Sequence, residues 1–129
     1  MSGETDLGRL LSGLDPELHE GVYVFATLPS EMPGLNPVMT FTETEGITVI
    51  LRAEEADRAR VPSVSPSAWI TLRVHSSLEA VGMMAAIAAA LTEAGISCNA
   101  VSAYHHDHLF VPWPRARDAM DVLHALTGS

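Results

Sequence analysis

Two short stretches hold most of the side chains able to do chemistry. Val74-His75-Ser76-Ser77-Leu78-Glu79-Ala80-Val81-Gly82 opens an alanine-rich segment, and Tyr104-His105-His106-Asp107-His108-Leu109-Phe110-Val111-Pro112 answers it further along the chain. The first offers hydroxyls and a carboxylate where a strand is expected to hand over to a helix. The second offers a carboxylate, a phenol and three imidazoles at an expected hairpin. Such a set suits a small zwitterion. Free amides at a helix N-terminus hold a carboxylate, and an aspartate orients an ammonium through charge-assisted hydrogen bonds.

Each group also has a plainer use. Ser76 stands three residues ahead of Glu79, the spacing of a capping box, so both side chains can be consumed in starting the helix. Ser77 is less committed to capping. Asp107 suits a tight turn, where its side chain bonds nearby backbone. Tyr104 can lay its ring along a ligand's aliphatic stem or pack at an interface. His105, His106 and His108 invite a metal reading, but a closed zinc site needs three or four ligands in tetrahedral array. His106 and His108 bracket a turn, so no metal ligands are expected.

A hydrolase triad of Ser76 or Ser77, His75 or His106, and Asp107 lacks any nucleophile elbow. No phosphate-binding loop and no dinucleotide fingerprint occur, so no cofactor is expected. Met83 and Met84 read as core filler.

The elements that must position these groups follow from pattern. Asp6 caps a predicted helix, Leu7 to Leu14. Val22 to Ala26 is β-branched and aromatic, as in a strand. Prolines 29, 33 and 37 with Gly34 then impose a loop. A hairpin is predicted from Met39–Glu43 and Ile47–Arg52, turning at Glu45-Gly46, followed by a short helix over Ala53–Ala59. Arg60 to Ala68, with Pro62, Pro66 and three serines, reads as a connector. Trp69 to His75 alternates, with Ile70, Leu72 and Val74 on one face and Trp69, Thr71, Arg73 and His75 on the other.

A helix is predicted from Leu78 to about Ala94, stopped by Gly95. Next comes a hairpin of Ile96–Tyr104 and Leu109–Val111 around His106-Asp107. A last helix starts near Pro114 with Ala116, Ala119, Met120, Leu123 and Leu126 on its apolar side.

Composition narrows the function. The 129 residues carry 16 carboxylates against 7 arginines and no lysine, and the arginines are scattered. Nucleic-acid binding relies on clustered cations, so no nucleic-acid partner is expected. Cys98 is the single cysteine, which excludes an intrachain disulfide and a cysteine zinc cage. The first residues are polar and acidic, unlike a signal peptide. The apolar run Gly82–Leu91 falls short of the roughly 20 residues a membrane span requires. A soluble, cytoplasmic protein without membrane partners is expected.

The pattern V-H-S-S-L-E-A-V-G-x-x-A-x-I-x-x-x-L-x-x-x-G-I-S, followed by Y-H-H-D-H-L-F-V-P, resembles the ACT domain, a small-ligand regulatory module. More narrowly, the layout resembles small bacterial tandem-ACT proteins and the CASTOR-type arginine sensors, which carry four such units. In the first half the likeness rests on the run from Met39 to Ile50, and in the linker on Ser63-Val64. The resemblance implies an α+β, ferredoxin-like βαββαβ fold in two tandem units, 1–62 (incomplete) and 63–129. It also implies a non-catalytic sensor that binds an amino acid at an interface between ACT units. A homodimer and a regulated protein are the implied partners.

Carried over by position, the implied ligand contacts are Ser63, Val64, Ser77, Glu79, Tyr104 and Asp107. The chain departs from the arginine sensors at Ala80 and Ala103, where they place a carboxylate and a hydroxyl. A purely protein-binding module, or a metal protein built on the histidines, are the alternatives. The second half lacks a closing strand of its own, and Val22–Ala26 is the expected donor.

Overall fold

A computed structural model of the chain describes residues 6–77 and 79–128. It is a mixed α+β structure made of antiparallel hairpins and packed helices. By contact, residues up to Glu20 cluster with Ala68 onward, and Gly21–Ser67 forms a second compact unit.

The larger unit contains α1 (Leu7–Ser12), β1 (Pro16–Leu18), the end of β5 (Val64–Leu72), α3 (Met83–Glu93), β6 (Asn99–Ser102), β7 (Asp107–Pro112) and α4 (Ala116–Leu126). Its strand order is β1-β5-β7-β6. The closing strand is therefore Pro16–Leu18, paired antiparallel as Pro16↔Leu72, Glu17↔Thr71 and Leu18↔Ile70. That strand was not expected; Val22–Ala26, the expected donor, pairs with the first residues of β5, as Tyr23↔Ser67 and Phe25↔Val64. Three residues around a proline carry no alternation of their own, so only the partner strand defines them as β.

Ile70 and Leu72 on β5, Leu109 and Val111 on β7, Ile87 and Leu91 on α3, and Leu123 on α4 build the core of this unit. Leu10 and Leu14 from the N-terminal segment are fully buried in the same cluster. Asp6 caps α1 as expected, its carboxylate accepting from the Arg9 amide at 2.9 Å. Gly95, at φ +73°, takes the left-handed conformation that ends α3.

Cys98 packs against this core, and burial pushes its thiol up to about 11. The thiolate is the reactive species. The smaller thiolate fraction at neutral pH, together with burial, slows alkylation. Folded protein is expected to label slowly with a thiol reagent and rapidly in urea. Equal rates in both states would contradict the burial.

The smaller unit contains β2 (Tyr23–Leu28), β3 (Met39–Thr42), β4 (Ile47–Arg52), α2 (Ala53–Ala59) and the first residues of β5. Its order is β3-β4-β2-β5, with β2 and β4 in register from Tyr23↔Arg52 to Leu28↔Ile47. Val24, Ala26, Leu28, Val49 and Leu51 face Ala56 and Val61 in its core.

β5 starts at Val64, inside the stretch read as a connector. Pro66 hid it, because proline is depleted in strands except at edges and bulges. Here the pairing with β2 shifts register between Tyr23↔Ser67 and Phe25↔Val64, and Ser65 adopts φ +59°. That irregularity accommodates the proline.

Candidate functional site

The helix expected from Leu78 starts at Met83, five residues later. Gly82, at φ +97°, occupies the N-cap position and supplies no side-chain cap. The preceding residues form a tight turn. Ser77 Oγ accepts the Glu79 amide at 3.0 Å, and the Ala80 amide donates to the Ser77 carbonyl at 3.0 Å. A serine bonding the amide two residues on is a local alternative to helix. The capping-box reading of Ser76 and Glu79 is thereby overturned. Glu79 has an exposed side chain, and Ser76 is turned elsewhere.

Ser76 Oγ donates to Asp107 Oδ2 at 3.2 Å, and both residues are buried. Asp107 is not at a hairpin tip. It opens β7, directly across from Ser102 of β6, and the tip is Ala103–His106, closed by the Ala103 amide on the His106 carbonyl. Asp107 is 7% exposed, and its carboxylate accepts one side-chain hydrogen bond among the described residues, that from Ser76. An ionised carboxylate has about four acceptor positions, and a buried one is costly unless paired.

Asp107 also lines a cavity of about 140 Å³. Ser76, Ser77, Ala80, Gly82, Met83, Met84, Ala85, Ser102 and Asp107 line it. The first turn of α3 thus forms one wall, and its leading amides lack a side-chain cap. Asp107 and the positive end of α3 both border this one small space.

Of the residues expected at a ligand, Ser77 and Asp107 come together here. Glu79 lies on the same turn but outside the lining. Tyr104 sits at the hairpin tip, 58% exposed, edge-on to His105. Ser63 and Val64 belong to the smaller unit, and both are exposed. Ser102 and Met84 were missed, Met84 because a methionine in a helix reads as packing. Ser102 becomes visible only once the tip is known to be four residues, which sets it opposite Asp107.

The histidines divide into two groups. His75, His105 and His106 cluster, with ring centroids 6.1 to 6.4 Å apart. Burial first, then the charges of Arg73, His105 and His75, hold His106 below its ordinary value, against a backbone hydrogen bond at Arg73. Among the described residues, no three His, Cys, Asp or Glu side chains are arranged to hold a metal ion. Nor is any imidazole hydrogen-bonded to Ser76 or Ser77 there.

His108 turns to the other side of its strand. Trp69 Nε1–H donates to His108 Nδ1 at 3.0 Å, and Thr71 Oγ1 lies 3.0 Å from the same nitrogen. His19 Nε2 lies 2.7 Å from Thr71 Oγ1, and its ring stacks on Trp69 at 3.6 Å. An indole donor requires an unprotonated Nδ1, so His108 is neutral in this network. Burial is the main cause that lowers both His19 and His108.

Because the folded values are depressed, the unfolded chain takes up these protons first. Stability is complete above the ordinary histidine value of about 6.5 and falls as pH drops below it. Melting temperature is expected to decline from pH 7 to pH 5, with a shallower slope in His108→Gln. A flat profile in the native protein would remove the network from the stability balance.

The fold and the pocket define a ferredoxin-type α+β protein with a small cavity between a strand-to-helix turn and a neighbouring strand. Two ACT domain matches cover the chain, over residues 2–68 and 64–125, and the chain belongs to the ACT-domain family. The two matches overlap on residues 64–68, at the start of β5. A Vibrio cholerae protein of unknown function, described as a possible transport protein, is 43% identical over 94% of this chain and 95% of its own, with a TM-score of 0.86.

An Agrobacterium tumefaciens protein is 18% identical, covering 87% of each chain at a TM-score of 0.68. The regulatory subunit of aspartate kinase from Thermus flavus is 9% identical, over 86% of this chain and 95% of its own, at a TM-score of 0.62. These last two show a shared fold. No curated protein matches the chain. No described helix is long and apolar enough to cross a membrane.

Proposed function

We propose that this chain is a non-catalytic regulatory protein that binds a free amino acid in the Ser76–Asp107 pocket. The observation that supports it most is the buried Asp107 carboxylate, bonded by one hydroxyl and set across a cavity from an uncapped helix start. An α-ammonium at Asp107 satisfies the carboxylate's open positions, and the leading amides of α3, with Ser77 beside them, receive the α-carboxylate. ACT-family membership supports the same reading, as does the likeness to subunits that regulate aspartate kinase.

In this reading two chains pair, and Glu79 and Tyr104 of the larger unit, like Ser63 and Val64 of the smaller, are exposed and available to a second chain. The ligand acts by binding one arrangement of units better than another, because only differential affinity shifts a population. Cytoplasmic location and a regulated partner protein complete the proposal.

Thermal unfolding against the twenty amino acids tests it. A ligand at 100 times its dissociation constant adds about 2.7 kcal/mol. A flat response to all twenty would sink the reading. Sedimentation equilibrium tests pairing separately, since a monomer at every concentration removes the dimer and leaves ligand binding standing.

A second reading, a protein-binding module without small ligand, draws on the smaller unit. There β3 carries Phe41, 64% exposed, beside Val38, 42% exposed. If Phe41→Ser abolishes capture of a co-purifying protein while no amino acid binds, this reading prevails.

A further inference from the structure

We infer that His19, Trp69, Thr71 and His108 form an acid-operated latch: a proton on His108 breaks the indole hydrogen bond and releases β1 from β5 while the core of the larger unit stays folded. The four side chains meet on one face of the paired β5 and β7, opposite the core residues Ile70, Leu72, Leu109 and Val111. Thr71, 2% exposed, stands at the centre, its hydroxyl within hydrogen-bond reach of both imidazoles. Trp69 stacks on His19 at 3.6 Å and runs nearly parallel to Phe110 at 6.2 Å. His19, Trp69 and His108 are half-buried, so protons reach them.

The hydrogen bonds admit one charge state. An indole nitrogen only donates, so His108 accepts at Nδ1 and carries its own proton on Nε2. The next proton goes to Nδ1, and a donor then meets a donor across 3.0 Å. Thr71 can adapt, because a hydroxyl both donates and accepts, but the indole cannot. One of the two rings must turn. His19 is stacked on the first and joined through Thr71 to the second.

Surrounding charges do not offset this. Burial is the main cause that holds both histidines below their ordinary value. At His108 the charges of His106, His19 and Arg73 add to it, and Asp107 opposes it. At His19, Glu17 opposes and Arg73 adds. Glu20, the next residue along, is exposed.

Little else holds this strand. β1 has three residues, and its first is a proline, which donates no hydrogen bond. The His19 amide donates to the Trp69 carbonyl at 2.9 Å, and a half-exposed Arg73–Glu17 pair at 3.4 Å adds little in water. Leu10 and Leu14 remain in the core, and the Asp15 carbonyl accepts the Arg73 amide, so release is confined to residues 16–20. It bares the Ile70–Leu72 edge to a pairing strand.

Fluorescence of the full chain carrying Trp113→Phe, which leaves Trp69 as its one tryptophan, tests the latch from about pH 8 to pH 5, across the ordinary histidine value. The emission is expected to shift in one transition with its midpoint below about 6.5. Hydrogen exchange at the His19 amide, corrected for its intrinsic pH dependence, is expected to rise at least tenfold while Leu109 stays protected. His108→Asn, whose amide oxygen accepts the indole bond at every pH, is expected to abolish both changes. A transition that survives in folded His108→Asn overturns the latch. So does His19 exchange that rises only together with Leu109, which is global acid unfolding. Should the variant not fold, the His108 ring protons followed by NMR in the native chain decide: their midpoint must coincide with that of His19 exchange, and separate midpoints overturn the inference.

Discussion

Removing residues 1–20 is expected to unfold the larger unit. Those residues contribute Leu10 and Leu14, each fully buried among Ile70, Leu72, Ile87 and Leu123. They also contribute β1, which covers one edge of β5 at Leu72, Thr71 and Ile70. An uncovered strand edge exposes unpaired amides and carbonyls and promotes association. The conservative version of the test is Leu10→Ala with Leu14→Ala.

A buried leucine truncated to alanine costs about 2–5 kcal/mol, and the two together approach the whole stability of a domain, about 5–15 kcal/mol. Urea denaturation followed by circular dichroism measures the loss. A truncated chain that still unfolds cooperatively at the native midpoint would show that the N-terminal segment is dispensable.

Asp107→Asn is expected to move two observables in opposite directions. The ligand-free protein should be as stable as the native one or more so, because a buried charge with one hydroxyl donor is replaced by a neutral amide of the same shape. Binding should weaken by about 2–4 kcal/mol, roughly 30- to 1,000-fold, because an ammonium loses its charged partner in a desolvated site. Calorimetry and thermal unfolding on the same preparations separate the effects. A less stable ligand-free protein with intact binding would make Asp107 a structural residue. Ser77→Ala should weaken binding far less, since its hydroxyl already accepts the Glu79 amide.

Much of the local structure was legible in the chain. The Met39–Thr42 and Ile47–Arg52 hairpin, the helix Ala53–Ala59 and the stop at Gly95 all arise where predicted. Each depends on chemistry confined to a few neighbouring residues, such as a turn glycine, strand alternation or a left-handed cap. The βαββαβ plan was legible for the same reason, with the family resemblance supplying its order. The failures share a different cause. β1 has three residues and exists through its partner, and β5 accepts Pro66 because its pairing with β2 is irregular at that point.

The start of α3 was misplaced because Ser76 and Glu79 have the spacing of a capping box as well as that of a turn. What decided between the two was remote: Ser76 reaches a carboxylate 31 residues away, while Ser77 holds the local turn. By itself the sequence determined which side chains were available near the pocket and which alternating faces had to be buried. Tertiary structure alone decided which groups share the cavity, and that His105, His106 and His108 are not among those lining it. Short-range propensity acts over a turn or a strand, whereas a binding pocket is made by contacts between segments whose spacing along the chain carries no local signal.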